Sequence, residues 1–100
     1  MQKVNSQSGS TAIISFRLGN YYSVPSYVTI PTDDYSKIVV SNDTVTTYTN
    51  YLVQVTCDST NIASVGLGKT EEINISNCST VTITSETGGL SVVGTYRLIR

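Results

Sequence analysis

The run Thr44-Val45-Thr46-Thr47-Tyr48-Thr49-Asn50-Tyr51-Leu52-Val53-Gln54-Val55-Thr56-Cys57 is almost pure strand former. From Tyr51 onward it sets Tyr51, Val53, Val55 and Cys57 on one side and Leu52, Gln54 and Thr56 on the other. Successive side chains of a strand point to opposite faces, so this writing specifies a ribbon with one buried face and one wetter face. Thr80-Val81-Thr82-Ile83-Thr84 repeats the period, with Val81 and Ile83 in the buried phase and an exposed row of threonines between them. No helical spacing persists for three turns anywhere in the chain, which confines the fold to the all-β class.

Turn signals divide the rest into short strands. Thr11 to Leu18 reads as a first strand closed by a Gly19-Asn20 hairpin turn. Tyr21 to Val24 and Tyr27 to Ile30 are extended pieces punctuated by Pro25 and Pro31, and proline cannot donate to a ladder, so they belong at a sheet edge or a bend. Thr32-Asp33-Asp34 is a turn, Tyr35 to Ser41 a strand and Asn42-Asp43 the next turn. The long ribbon that follows is read as two strands, or as one broken by a bulge near Asn50. Ile62 to Val65 is a short strand, and Glu71 to Ser76 with Thr80 to Ser85 form a hairpin across the Asn77-Cys78-Ser79 link. Gly88-Gly89 turns the chain into Leu90 to Val93 and Thr95 to Ile99, with Gly94 as a bulge or kink.

Turns at this frequency predict an antiparallel β-sandwich, immunoglobulin-like or jelly-roll-like, of about seven to nine strands. At 100 residues the chain has room for one core. Residues 1–10, mostly Ser, Gln, Asn and Gly with Val4 the single apolar side chain after Met1, are expected to form a flexible N-terminal arm, and 11–100 the sandwich domain.

Six basic and seven acidic residues give a net charge of -1, and the six cations are scattered. A stripe able to track phosphates or an anionic membrane is absent from such a pattern, so neither nucleic acid nor membrane is an expected partner. Low charge here does not mean disorder, because Thr, Ser and Tyr replace the missing ions. No apolar stretch near the start has signal-peptide length, which leads to an expectation of synthesis and residence in the cytoplasm unless assembly or lysis releases the protein. Cys57 and Cys78 would close a loop of about twenty residues if bridged, but a reducing compartment would not preserve the bond. The spacing leaves their pairing open. Cys57, in phase with Val53 and Val55, reads as a small buried hydrophobe, and Cys78, beside a turn, as the more accessible thiol.

Chemistry-bearing patterns are sparse. Ala63-Ser64-Val65-Gly66-Leu67-Gly68-Lys69-Thr70 resembles a relaxed phosphate-binding loop with alanine at the first glycine. That chemistry needs a helix directly after the loop, and Glu71-Glu72-Ile73-Asn74-Ile75 is written in strand period instead. Histidine is absent, so a serine or thiol nucleophile would need lysine or a carboxylate as its base, and no such spacing occurs. Asp33-Asp34 and Glu71-Glu72 are read as solvated acids at turns and strand starts. Two cysteines without histidine cannot close a zinc site, and no loop carries the alternating oxygen ligands of a calcium site. The expectation is therefore no catalytic, metal or cofactor residue. Asn42-Asp43-Thr44, Asn74-Ile75-Ser76 and Asn77-Cys78-Ser79 fit the glycosylation sequon, as chance matches do in so Asn-, Ser- and Thr-rich a chain.

The seven tyrosines are more than a small core can bury, since each phenol needs a partner or water. Tyrosine is enriched at protein interfaces, and the proline-broken edge carries three of them. Tyr21, Tyr22, Tyr27, Val28 and Ile30 are the expected contact residues.

The polar Ser-Gln-Gly arm at 2–10, the Thr-Val ladders such as 80–84, the few charges and the arginine-tipped end Thr95-Tyr96-Arg97-Leu98-Ile99-Arg100 together give the chain a manner that resembles the small all-β virion proteins of bacteriophages, among them capsid decoration proteins, head fibres and tail or neck components. The resemblance is one of composition along the whole chain and transfers no functional residue. It implies a non-enzymatic subunit of a virion, made without a signal, that contacts other virion proteins or copies of itself as a homo-oligomer. A carbohydrate-binding or adhesion module, with tyrosines stacked on sugar rings, is the alternative expectation.

Overall fold

The computed structural model describes residues 10–19, 25–86 and 90–100. Among them are eight strands: β1 (Ile14–Leu18), β2 (Tyr27–Pro31), β3 (Lys37–Asn42), β4 (Val53–Cys57), β5 (Thr60–Val65), β6 (Thr70–Asn74), β7 (Thr80–Ser85) and β8 (Val92–Ile99). They form two four-stranded antiparallel sheets, β1-β8-β3-β6 and β2-β7-β4-β5. The pairs β1–β8, β2–β7, β3–β6 and β4–β5 are nested one inside the next, as in a long ribbon doubled on itself and rolled. This is the strand order of a jelly roll, which decides between the two sandwich types expected from the sequence.

The period of two explains which residues meet. Phe16, Leu18, Ile38, Val40, Ile73, Val92 and Leu98 from the first sheet face Ile30, Val53, Val55, Val65, Val81 and Ile83 from the second, in one buried cluster. Each such side chain contributes about 1.5–3 kcal/mol by leaving water.

Several local expectations are corrected. The Thr44 to Tyr51 half of the long ribbon is a loop, not a strand, and only Val53–Cys57 enters a sheet. Its alternating residues have no facing sheet to be buried against: Val45 is 97% exposed and Tyr48 66%. Local hydrogen bonds hold the loop instead, with the Thr44 amide donating to Asn42 Oδ1 at 3.1 Å and the Tyr48 amide to Thr46 Oγ1 at 3.2 Å. The strands around 77–79 are not a hairpin, because β6 lies in one sheet and β7 in the other. Tyr21 to Val24, the expected second arm of the Gly19-Asn20 hairpin, lie outside the described residues, and β1 and β2 do not form one. The chain-adjacent pair β4–β5 does, through Asp58 and Ser59 at φ 48° and 77°, a two-residue turn whose twist matches that of the strands. Asn42 ends β3 as a fully buried residue rather than sitting in a turn.

Gly94 is neither bulge nor kink. It sits in regular register between Phe16 and Asn42, with β8 unbroken around it. A Cβ there would lie 2.7 Å from the Phe16 ring and would overlap the Ser41 carbonyl oxygen, so the position excludes side chains because β3 and the Phe16 ring close over it. Gly94→Ala is expected to cost about 2 kcal/mol of stability, read as a lowered urea midpoint with an unchanged slope. An unshifted midpoint would contradict this packing account.

Cys57 and Cys78, whose pairing the sequence leaves open, are joined in a disulfide with Cα atoms 5.5 Å apart. The bond ties the end of β4 to the approach to β7. Around it the Asp58 carboxylate accepts from the amides of Ser79 (3.0 Å) and Thr80 (3.0 Å), and Thr32 Oγ1 donates to the Cys78 carbonyl. At the same end Arg100 pairs with Asp34 and stacks 4.6 Å over the Tyr35 ring. Of the expected arm, residues 1–9 lie outside the described residues; Ser10 already pairs with Ile99.

Candidate interaction surface

The jelly-roll path puts the β3–β4 and β5–β6 connections at one end of the sandwich and the β2–β3, β4–β5 and β6–β7 connections at the opposite end. At the first end Asn42 organises what is described. Its Nδ2 donates to the carbonyls of Tyr51 and Val65, both at 2.9 Å, while its Oδ1 accepts from Thr44. Its backbone amide donates to the Lys69 carbonyl at 3.0 Å, and its carbonyl accepts from Gly68 at 2.9 Å. One buried side chain and its peptide groups thus fix the 43–52 loop and the 66–69 turn. Tyr48 and Tyr51 stack on that loop with centroids 6.2 Å apart.

The phosphate-loop pattern ends in a strand. The Lys69 amide donates to Gly66 in a tight turn, Gly68 takes φ 69°, and Thr70 begins β6 with its hydroxyl 2.8 Å from that of Ser41. No helix terminus is present to hold an anion there. Among the described residues no three His, Cys, Asp or Glu side chains cluster. Two open grooves of about 350 and 210 Å³ cross the outer face of the first sheet, the larger between Arg17 and Asp43, the smaller between Ile13, Val39 and Arg97. Burial raises the Tyr96 phenol above its ordinary 10.0, so Tyr96 is neutral at physiological pH.

Of the contact residues expected from sequence, Tyr21 and Tyr22 lie outside the described residues. Tyr27 is 57% exposed at the start of β2. Ile30, at 4% exposure, belongs to the core, and Val28 is packed partly against it, so their side chains are not offered to a partner. The proline argument for an edge holds for Tyr27–Pro31, since β2 is the outer strand of the second sheet among the described residues, while Tyr21 to Val24 lie outside them. Thr29 was not singled out from the sequence, although its outward phase with Tyr27 follows from the same alternation.

The outer face of the second sheet carries no ionised side chain on its strands. Tyr27, Thr84, Gln54 and Ser64 align in one row across the sheet, and Thr29, Thr82, Thr56 and Asn61 in the next. The outer face of the first sheet carries Arg17, Lys37, Glu72 and Arg97, with Lys37 and Glu72 paired at 2.9 Å. Comparison with protein families, curated proteins and solved structures finds no match.

Proposed function

We propose that this chain is a non-enzymatic assembly subunit of the virion type, such as a phage capsid decoration, fibre or tail component, that acts by contact with copies of itself or with neighbouring proteins. The observation that carries the reading is the uncharged edge and outer face of the second sheet, with Tyr27 exposed upon it. Dry association costs least where few ions must be desolvated. The disulfide suits a particle that persists outside the cell. The jelly roll serves capsid and lectin domains alike, so the surface and not the fold supports this reading.

Light scattering on the full chain over a concentration series tests it. A molar mass at a multiple of 10.8 kDa is expected, and removal of residues 1–9 should lower it if the arm docks on a neighbour. A single-chain mass persisting to millimolar concentration, with or without the arm, defeats the reading. The two hydroxyl and amide rows beside Tyr27 also favour a neutral glycan as ligand, through stacking and hydroxyl hydrogen bonds. Tyrosine fluorescence titrations with neutral oligosaccharides distinguish that second reading.

A further inference from the structure

The four edge strands differ in how they refuse a partner. On β1, Ser10 and Thr11 pair with Ile99 and Leu98, whereas Ile14 pairs with Tyr96, which leaves Ala12 and Ile13 opposite Arg97 alone, a bulge. The β5 ladder shifts register between Val55 and Thr56, leaving Ile62 as the extra residue. On β6, Glu71 and Glu72 stand exposed. Bulges and charges are the usual defences of a sheet edge. β2 has neither, and its edge proline, a third such defence, falls at its last residue, Pro31: all five residues pair in unbroken register with β7, and none is charged.

The alternation of backbone groups shows what β2 leaves free. The Thr32 amide donates to the Ser79 carbonyl, continuing the β2–β7 register, so the amides of Val28 and Ile30 point inward to β7. Those of Tyr27 and Thr29 therefore point out of the sheet. Pro31 shares their phase, so its missing N–H costs the β2–β7 ladder nothing. The free edge offers two donors, from Tyr27 and Thr29, and the carbonyls of the same residues.

We propose that β2 pairs antiparallel with β2 of a second copy of this chain, joining two four-stranded sheets into one. The proposal rests on the assembly reading and names its partner. A two-fold axis through Val28 sets Tyr27 against Thr29 of the second copy and Thr29 against Tyr27, so every free donor of one edge meets a carbonyl of the other. The same axis sets Pro25 against Pro31, since both lie three residues from Val28, and the Pro25 carbonyl is already occupied by the Gly19 amide. The two positions without donors thus fall opposite each other at the ends of the ladder. Two copies bring no like charges together. An isologous edge of this kind closes on itself as a dimer instead of growing into a fibre.

Amide hydrogen exchange of the full chain, followed by NMR at low and high concentration beside the molar mass, tests the proposal. Tyr27 and Thr29 should exchange at least about tenfold more slowly at high concentration as the mass doubles, while Val28 and Ile30 stay protected throughout. Thr29→Pro, which removes one outward amide without breaking the β2–β7 ladder, and Thr29→Lys should both restore the single-chain mass with an unchanged circular dichroism spectrum. Fast exchange at Tyr27 and Thr29 in a protein that does oligomerise overturns the β2 pairing and leaves the assembly reading standing. A monomer at every concentration removes both.

Discussion

Asn42→Leu is expected to lower unfolding free energy by about 3–5 kcal/mol. Leucine keeps the branched outline of asparagine but is bulkier, so it leaves no cavity and overpacking adds to the lost hydrogen bonds. The substitution strips the Tyr51 and Val65 carbonyls of their donor and the Thr44 amide of its acceptor, at a residue with no solvent exposure. A buried polar group left unpaired costs about 1–3 kcal/mol, and at least two are created here. Against a total stability of about 5–15 kcal/mol for a domain, the loss is visible in a urea titration of the purified protein. Asn42→Asp should do no better, because it keeps one acceptor, loses both donations and brings a carboxylate against two carbonyl oxygens. A loss below about 1 kcal/mol for the leucine variant would show that water replaces the missing contacts and that the loop end is looser than described.

Reduction of the Cys57–Cys78 bond is expected to cost about 3 kcal/mol, the loop-closure entropy returned to an unfolded chain crosslinked at a sequence separation of 21. The measurement is a pair of urea titrations with and without reductant, repeated on a variant carrying Cys57→Ser and Cys78→Ser. The parent midpoint should fall in reductant, and the variant should sit at the lower value in both buffers. Equal midpoints for the oxidised and reduced parent would mean that the Asp58 carboxylate and the β4–β7 ladder already hold this corner without the bond.

The sequence disclosed those parts of the fold that depend on period. Alternation over 80–85 and 53–57 marked strands whose inward residues are the buried ones, and Pro25 and Pro31 marked an edge because a missing amide is tolerated only where no neighbour needs it. Alternation failed at 44–51, where Thr, Val and Tyr suit a strand equally well but nothing stands opposite to bury them. Strand propensity there is outweighed by serviceable local bonds from the Asn42 and Thr46 side chains. Pairing was less visible than period. Asn77-Cys78-Ser79 has the composition of a hairpin link, yet it carries the chain between sheets, and no local signal distinguishes the two. The cysteine bond depends on that same long-range placement, since β4 and β7 become neighbours only in the finished roll. Asn42 was hidden for a related reason: a residue type favoured in turns was drawn inside because three separate segments converge on it. As for the contact residues, Tyr27 was chosen because prolines mark its segment as an edge, and the alternation that sets it outside sets Val28 and Ile30 of the same segment within.

The nested pairing has a kinetic corollary. Once the Asp58-Ser59 reversal forms and β4 lies against β5, β3 and β6 are separated by a short closed unit instead of the full intervening chain, and each further pair inherits the same shortening. Closure entropy grows with the logarithm of the free loop, so a chain built this way can zip from its middle toward its ends without meeting the whole cost of its most distant contacts at one step.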